Sequence, residues 1–194
     1  MKKSLTISIL KKEFGHLVKL DDEVYKKILP YLSLRSYNKS VVLKKAGETD
    51  PYARYIIKGT LAKMWPSEKG RDFRVKIFCN QNIASDLGSY LNKEPSGYLI
   101  KTLTYVSVIE LARPDMDRIL NEIPEISRLA AVLTSNALSD SSAWQNIIDS
   151  PIKEGILKMH KQFPEALNYM SIKDKAYIFK TSVSKYREII AELV

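Results

Sequence analysis

Between Ser40 and Leu111 the chain strings together short runs rich in valine, isoleucine, tyrosine and threonine, with turn signals recurring between them. SVVLKKAGE reads as a strand running into a turn at Gly47, and RYIIKGTLAKMW as two strands around Gly59. PSEKGRD is a tight turn leading into FRVKIF, and YLIKTLTYVSVIEL supplies two more strands. Turns at this spacing indicate an antiparallel sandwich or barrel rather than alternating β–α units.

The flanks are helical. DDEVYKKILPYL places Asp21, Asp22 and Glu23 where acids suit a helix N-terminus, followed by Val24, Ile28 and Leu32 at i, i+4, i+8. Pro30 should end or kink that helix. RPDMDRILNEIPEISRLAAVL returns to helical spacing, with Pro114 suited to a first turn. Pro124 begins a longer stretch reaching about Ile148, with Leu129, Val132, Leu133, Asn136 and Ala137 along one side. Pairing with the same helix of a second subunit is expected to bury that stripe, with packing onto its own domain as the alternative. SPIKEGILKMHKQFP reads as an amphipathic helix from Ser150 and Pro151, with Ile152, Ile156, Leu157 and Met159 or His160 as its rows.

SIKDKAYIFKTSVSKYREIIAELV then fits a pair of short helices. Ile172, Ala176 and Phe179 share one face of the first, and Ala176 is small enough for a close crossing. Ser182 is an N-cap candidate for the second. Val183, Tyr186, Ile190 and Leu193 should face inward with Ile189 beside them, leaving Ser184, Lys185, Arg187, Glu188 and Ala191 exposed. This is a helix-turn-helix pattern.

Composition excludes several chemistries. One cysteine, Cys79, rules out an intramolecular disulfide framework and fits a small core residue in a reducing compartment. It also excludes a cysteine-ligated zinc or iron–sulfur site within one chain. The two histidines, His16 and His160, lie outside the strand region, so a metal-dependent β-barrel enzyme is not supported. Asp21/Asp22 and Asp115/Asp117 stand at helix starts, and no phosphate loop or nucleophile–base pair is present, so an enzyme is not expected. Lys11 and Lys12 break the first apolar run and no run is long enough to span a bilayer, so a cytoplasmic protein without membrane contact is expected. The net charge of +9 favours an anionic partner, yet residues 1–60 hold 13 Lys/Arg against 6 Asp/Glu while residues 151–194 hold only 8 against 5.

Taken in order, these segments resemble the Crp/Fnr family of bacterial transcription regulators. The resemblance rests on YIIKGTLA followed by SEKGRD, then VIELARPDMDRILNEIPEI, SPIKEGILKMHKQFP and the terminal helix-turn-helix. The chain is most similar to shorter members in which a clipped connector replaces a full wing hairpin. The resemblance implies an α+β fold: a cyclic-nucleotide-binding-like antiparallel β-roll over residues 1–122, a dimerisation helix over 123–149, and a winged-helix or helix-turn-helix domain over 150–194.

It also implies two sites. In nucleotide-binding members a short helix of the roll presents backbone N–H groups to the cyclic phosphate, assisted by a Glu and an Arg. The matching segment here places Asp86, Leu87, Gly88, Ser89, Ser96 and Tyr98 as ligand-site residues. The phosphate arginine is missing, and neither Lys93 nor Lys101 can be placed at the phosphate, so cyclic AMP is not expected. Haem and iron–sulfur cofactors are likewise not expected, leaving an unidentified small-molecule effector. At the DNA site the family's positive-φ turn glycine is replaced by Lys180. Val183, Ser184 and Glu188 fall where members carry base-reading Arg and Glu, with Ser182 capping the helix. Lys173, Lys175, Lys180, Lys185 and Arg187 remain for phosphates. Two functions stay open: a DNA-binding regulator with an altered sequence preference, and a ligand-binding or protein-interaction module whose helix-turn-helix has degenerated.

Overall fold

The structure is a computed structural model describing residues 5–67 and 72–193. Two helices lead in, α1 (Ile7–Phe14) and α2 (Asp22–Ile28). Thr6 caps α1 by accepting from the backbone N–H of Ile9. Pro30 sits in a 3₁₀ turn, Leu29–Tyr31, that closes α2 as expected, but Leu32 then opens a strand rather than continuing the helical stripe.

The strands follow as β1 (Leu32–Tyr37), β2 (Val42–Lys44), β3 (Tyr52–Lys58), β4 (Leu61–Trp65), β5 (Phe73–Phe78) and β6 (Ile83–Ala84). After the short helix α3 (Leu87–Asn92) come β7 (Leu99–Thr102) and β8 (Val106–Ala112). Among the described residues they form two antiparallel four-stranded sheets, ordered β1-β8-β3-β6 and β2-β7-β4-β5. The antiparallel β-roll is thus in place. The tight turn expected between β4 and β5 falls on residues 68–71, outside the described residues. Gly59 links β3 to β4 at φ 101°, and a Cβ there would lie 2.4 Å from the Tyr105 carbonyl oxygen, so the position needs glycine twice over.

Strand alternation sorts side chains between layers. Ile56, Leu61, Phe78, Ile100, Val106 and Val108 fill the space between the sheets. Their neighbours Tyr55 and Ile109 face the other way, into a second cluster with Phe14, Ile28, Ile119 and Leu129. Ala62, Met64, Ile77 and Leu99 face a third cluster, described below. Strands β3, β4 and β8 carry buried residues on both faces, whereas β1 at the edge of its sheet has none.

The chain continues through α4 (Arg113–Glu122), with Pro114 in its first turn, and a 3₁₀ turn at Pro124–Ile126 into α5 (Ser127–Asp149). The stripe expected to pair with a second subunit is instead used within the chain. Leu129 is buried, and Val132 and Leu133 pack against the cluster under the roll. Further along, Trp144 and Ile147 enter the third cluster, and the Trp144 indole donates to the Val75 carbonyl at 2.6 Å. The roll's own outer face supplies enough apolar surface to cover that side of α5.

Helices α6 (Ile152–Gln162), α7 (Pro164–Leu167), α8 (Ile172–Ile178) and α9 (Val183–Ala191) complete the chain. The connector between α6 and α8 holds the short α7, and the described residues after β8 contain no strand, which matches the clipped connector. Ile156, Met159, Ala176, Phe179, Tyr186 and Ile189 join Met64, Ile77 and Leu99 of the roll in one buried cluster. Gly155 permits the closest approach here: an added Cβ would lie 2.6 Å from both the Ile147 carbonyl oxygen and the Phe179 ring.

Candidate nucleic-acid interface and ligand pocket

The two terminal helices are joined by a complete capped turn. Lys180 adopts φ 50°, the left-handed conformation expected at that turn. Its N–H bonds to the Tyr177 carbonyl, and Thr181 N–H reaches back to Ala176, the paired bonds of a Schellman motif. A side chain in this region is strained by about 1–2 kcal/mol. Lys180→Gly is therefore expected to stabilise the chain by about 0.5–1 kcal/mol once glycine's larger unfolded-state entropy is subtracted. A denaturation midpoint measures it. Ser182 then caps α9, accepting from Lys185 N–H at 3.1 Å.

On α9, Tyr186 and Ile189 are buried, and Val183, Ile190 and Leu193 are half-buried against the same cluster. Ser184, Lys185, Arg187, Glu188 and Ala191 are exposed, as the spacing predicts. Lys173, Lys180 and Ser182 are exposed as well, whereas Lys175 is half-buried, and burial lowers its ammonium pKa against the opposing Asp174 charge. Lys185 pairs with Glu188 one turn along, so Arg187 is the cation of α9 without a carboxylate partner among the described residues. A surface pair of this kind is weak and exchanges readily.

The first helix is clasped to the roll, which the sequence did not reveal. Asp174 is buried and closes a capping box with Ser171 at the start of α8. Its other carboxylate oxygen accepts from Arg74 N–H of β5 at 3.2 Å, the Arg74 guanidinium lies 3.5 Å from the carboxylate, and that group donates to the Tyr169 carbonyl. Beside it Phe73 stacks on Tyr177 with centroids 4.0 Å apart.

The ligand-site residues are drawn into a buried network instead of an open cradle. Asp86, at the start of α3, pairs with Lys63 at 2.7 Å and with fully buried Lys44 at 3.6 Å, and accepts from the Ser96 hydroxyl. Ser96 also accepts from Lys44; Ser89 donates to the Glu94 carbonyl and accepts from Asp50 N–H. Tyr98 lies under the Lys63 ammonium. Burial pushes the Asp86 carboxyl up, but hydrogen bonds from Lys63 and Ser96 and the charges of both lysines outweigh it and hold the group below the usual range. The stability this contributes is fully present above the unfolded aspartate pKa of about 3.9 and is lost as pH falls through the lower folded value. Asp86→Asn should flatten that part of an acid-denaturation curve.

Of the six expected ligand residues, Leu87 and Gly88 line an open pocket of about 350 Å3 between α3, β4, β5 and α5. Its cations are Lys63 and Lys76, which stand directly opposite each other across β4 and β5. Like charges in that position repel. Lys63 is compensated by Asp86, and Lys76 by Asp140 of α5 at 2.6 Å, with Ser141 at 3.1 Å. Burial lowers the Lys76 pKa, with Asp140 opposing the effect and Lys63 adding to it. The pocket is cationic and faces α5.

Cys79 is half-buried against the third cluster, and burial together with Glu165 pushes its thiol up to about 11. His16 and His160 are exposed, and no cluster of metal-ligating side chains occurs among the described residues. Among those residues no helix is long and apolar enough to cross a membrane.

No protein-family profile and no curated protein sequence matches the chain. Solved structures do. The c-di-GMP-responsive global regulator CLP of Xanthomonas campestris is similar at a TM-score of 0.61 and 14% identity, over 89% of this chain and 91% of that one. FixK2 of Bradyrhizobium japonicum gives 0.58 and 12%, over 84% of each chain. A cyclic nucleotide-binding domain of Methylobacillus flagellatus gives 0.58 and 10%, over 81% and 84%. At these identities the likeness is one of fold: the chain is an α+β protein built on a cyclic-nucleotide-binding-like β-roll.

Proposed function

We propose that the chain is a cytoplasmic, homodimeric transcription regulator of the Crp/Fnr type, reading DNA through α9 and sensing an anionic effector in the pocket beside α3. The observation that carries the reading is α9 itself. Its inner side is locked by Tyr186 and Ile189, its start is capped by Ser182, and its outer side leaves Ser184, Lys185, Arg187 and Glu188 exposed. Helix-turn-helix proteins place such a helix in the major groove, with neighbouring cations on phosphates. Lys173 and Lys180 flank it in that role.

Dimerisation draws on the side of α5 turned away from the roll. Ala131, Ser135, Leu138 and Ser142 follow the 4-3-4 spacing of a coiled-coil seam, and all four are exposed. A second copy of α5 fits this face, and small residues at the seam allow close approach. Two such modules would engage half-sites about 34 Å apart.

The effector pocket supports a switch. An anion between Lys63 and Lys76 competes with the Asp140 carboxylate for Lys76, and so loosens α5 from β5. Losing that tie shifts the seating of the dimer helix, and with it the spacing of the two reading helices.

Selection of random duplexes by the purified protein tests the reading, followed by titration of the winning duplex at two salt concentrations. A two-fold symmetric motif whose binding survives moderate salt is expected. Leu138→Asp should yield monomers and lose the motif, and Arg187→Ala should weaken binding. Salt-sensitive retention with no motif would mean that charge alone attracts DNA, and would favour an interaction module instead.

A further inference from the structure

A second cavity, of about 120 Å3, lies between the outer face of the β1-β8-β3-β6 sheet and the helices covering it. Phe14, Tyr55, Ile109, Ile119 and Leu133 are among its walls, so α1, β3, β8, α4 and α5 all contribute. Protein interiors are close-packed, and a void this large is unusual. Its lining is almost wholly apolar, which leaves water without the partners that would hold it there. Apolar voids of about 150 Å3 take up benzene-sized guests.

The polar side chains in the wall, Tyr55, Tyr90 and Thr134, leave it little polar surface, and the Tyr90 hydroxyl is sealed off from the cavity. The cavity has a way in. Met116, Ala130 and Thr134 line both it and the open groove between α4 and the outer side of α5.

We propose that this cavity is a binding site for an uncharged apolar molecule of about one ring, held by shape and apolar contact alone. It is separate from the cationic pocket, and α3 is the partition: Leu87 and Leu91 line both spaces. The two sites select opposite chemistries, anionic on one side of α3 and neutral on the other. The proposal does not depend on DNA binding, but the cavity's entrance opens on the groove lined by Ala131, Ser135, Leu138 and Ser142, so a second copy seated there would slow entry without changing the site.

Benzene and toluene are the probes, titrated into the full chain by calorimetry and by ligand-detected NMR. Saturable binding of both at one site is expected. Ala130→Phe fills the space from α5 and should abolish both; Ala53→Leu fills it from β3 and repeats the test should the α5 variant fold poorly. Absence of saturable binding to the native chain overturns the proposal, as does binding that survives a folded filling variant.

Discussion

Arg54→Met is expected to lower the unfolding free energy by about 3–5 kcal/mol, the usual result of removing one partner from a buried ion pair. Arg54 is 1% exposed and lies between two carboxylates that are themselves buried. Its guanidinium donates to Asp50 at 3.0 Å, and its Nε is 3.5 Å from Glu110, which also accepts from the Tyr37 hydroxyl at 2.8 Å. Methionine matches the stem but leaves Asp50 without a counter-charge and Glu110 with only Arg35 of β1, at 4.0 Å. Asp50 carries a second duty: it accepts from the Asp86 N–H and the Ser85 hydroxyl and so fixes the start of α3, the wall shared by the two cavities. The denaturation midpoint should fall with its slope unchanged, since the surface exposed on unfolding is the same. Replacing Asp50, Arg54 and Glu110 together by apolar residues of similar volume should recover much of the loss, because no charge is then stranded.

Asp174→Ala should cost about 2–4 kcal/mol, combining a lost helix cap of about 1 kcal/mol with charge-assisted bonds of about 1.5–3 kcal/mol. The loss is local before it is global. Ser171 and Arg74 lose the same carboxylate, so α8 is freed at its first turn and from β5 at once. Hydrogen exchange should show residues 172–178 opening well below the global unfolding energy, while strands such as β3 and β8 keep their protection. Asp174→Asn keeps one acceptor oxygen but turns an NH2 toward the other N–H, so it should restore little of the loss. Arg74→Ala and Asp174→Ala combined should cost less than their sum, as for any pair sharing one contact.

Much of this fold was legible because its signals are short-range. Gly47 and Gly59 mark positive-φ turns, Pro114 and Pro124 mark helix starts, and Ser182 caps α9 where a serine before an apolar repeat should. Lys180 in a left-handed turn was legible only through the resemblance. The cationic pocket was not legible, and the register explains why. Arg74 and Lys76 share parity in the sequence, so simple alternation puts them on one face. A bulge at Val75 pairs Lys76 with Lys63 but Arg74 with Met64, sending one to the pocket and the other to α8. The α5 stripe misled for a different reason: an apolar face states that it is buried, not by which surface. The seam offered for the dimer, with Ala131, Ser135 and Ser142, is too weakly apolar to stand out in a hydropathy reading.

The buried cluster joining Met64, Ile77 and Leu99 to Phe179, Tyr186 and Ile189 governs how the terminal helices can move against the roll. Helix α9 has no slack against the β-sheets. Turning α9 independently would prise apolar side chains apart and wet them, so small displacements are resisted and stored rather than relayed. Packed cores of this kind hold one arrangement or jump to another. Movement at such a joint has a threshold: a weak perturbation is absorbed, and one strong enough to re-seat the whole cluster moves the terminal helices together as a block.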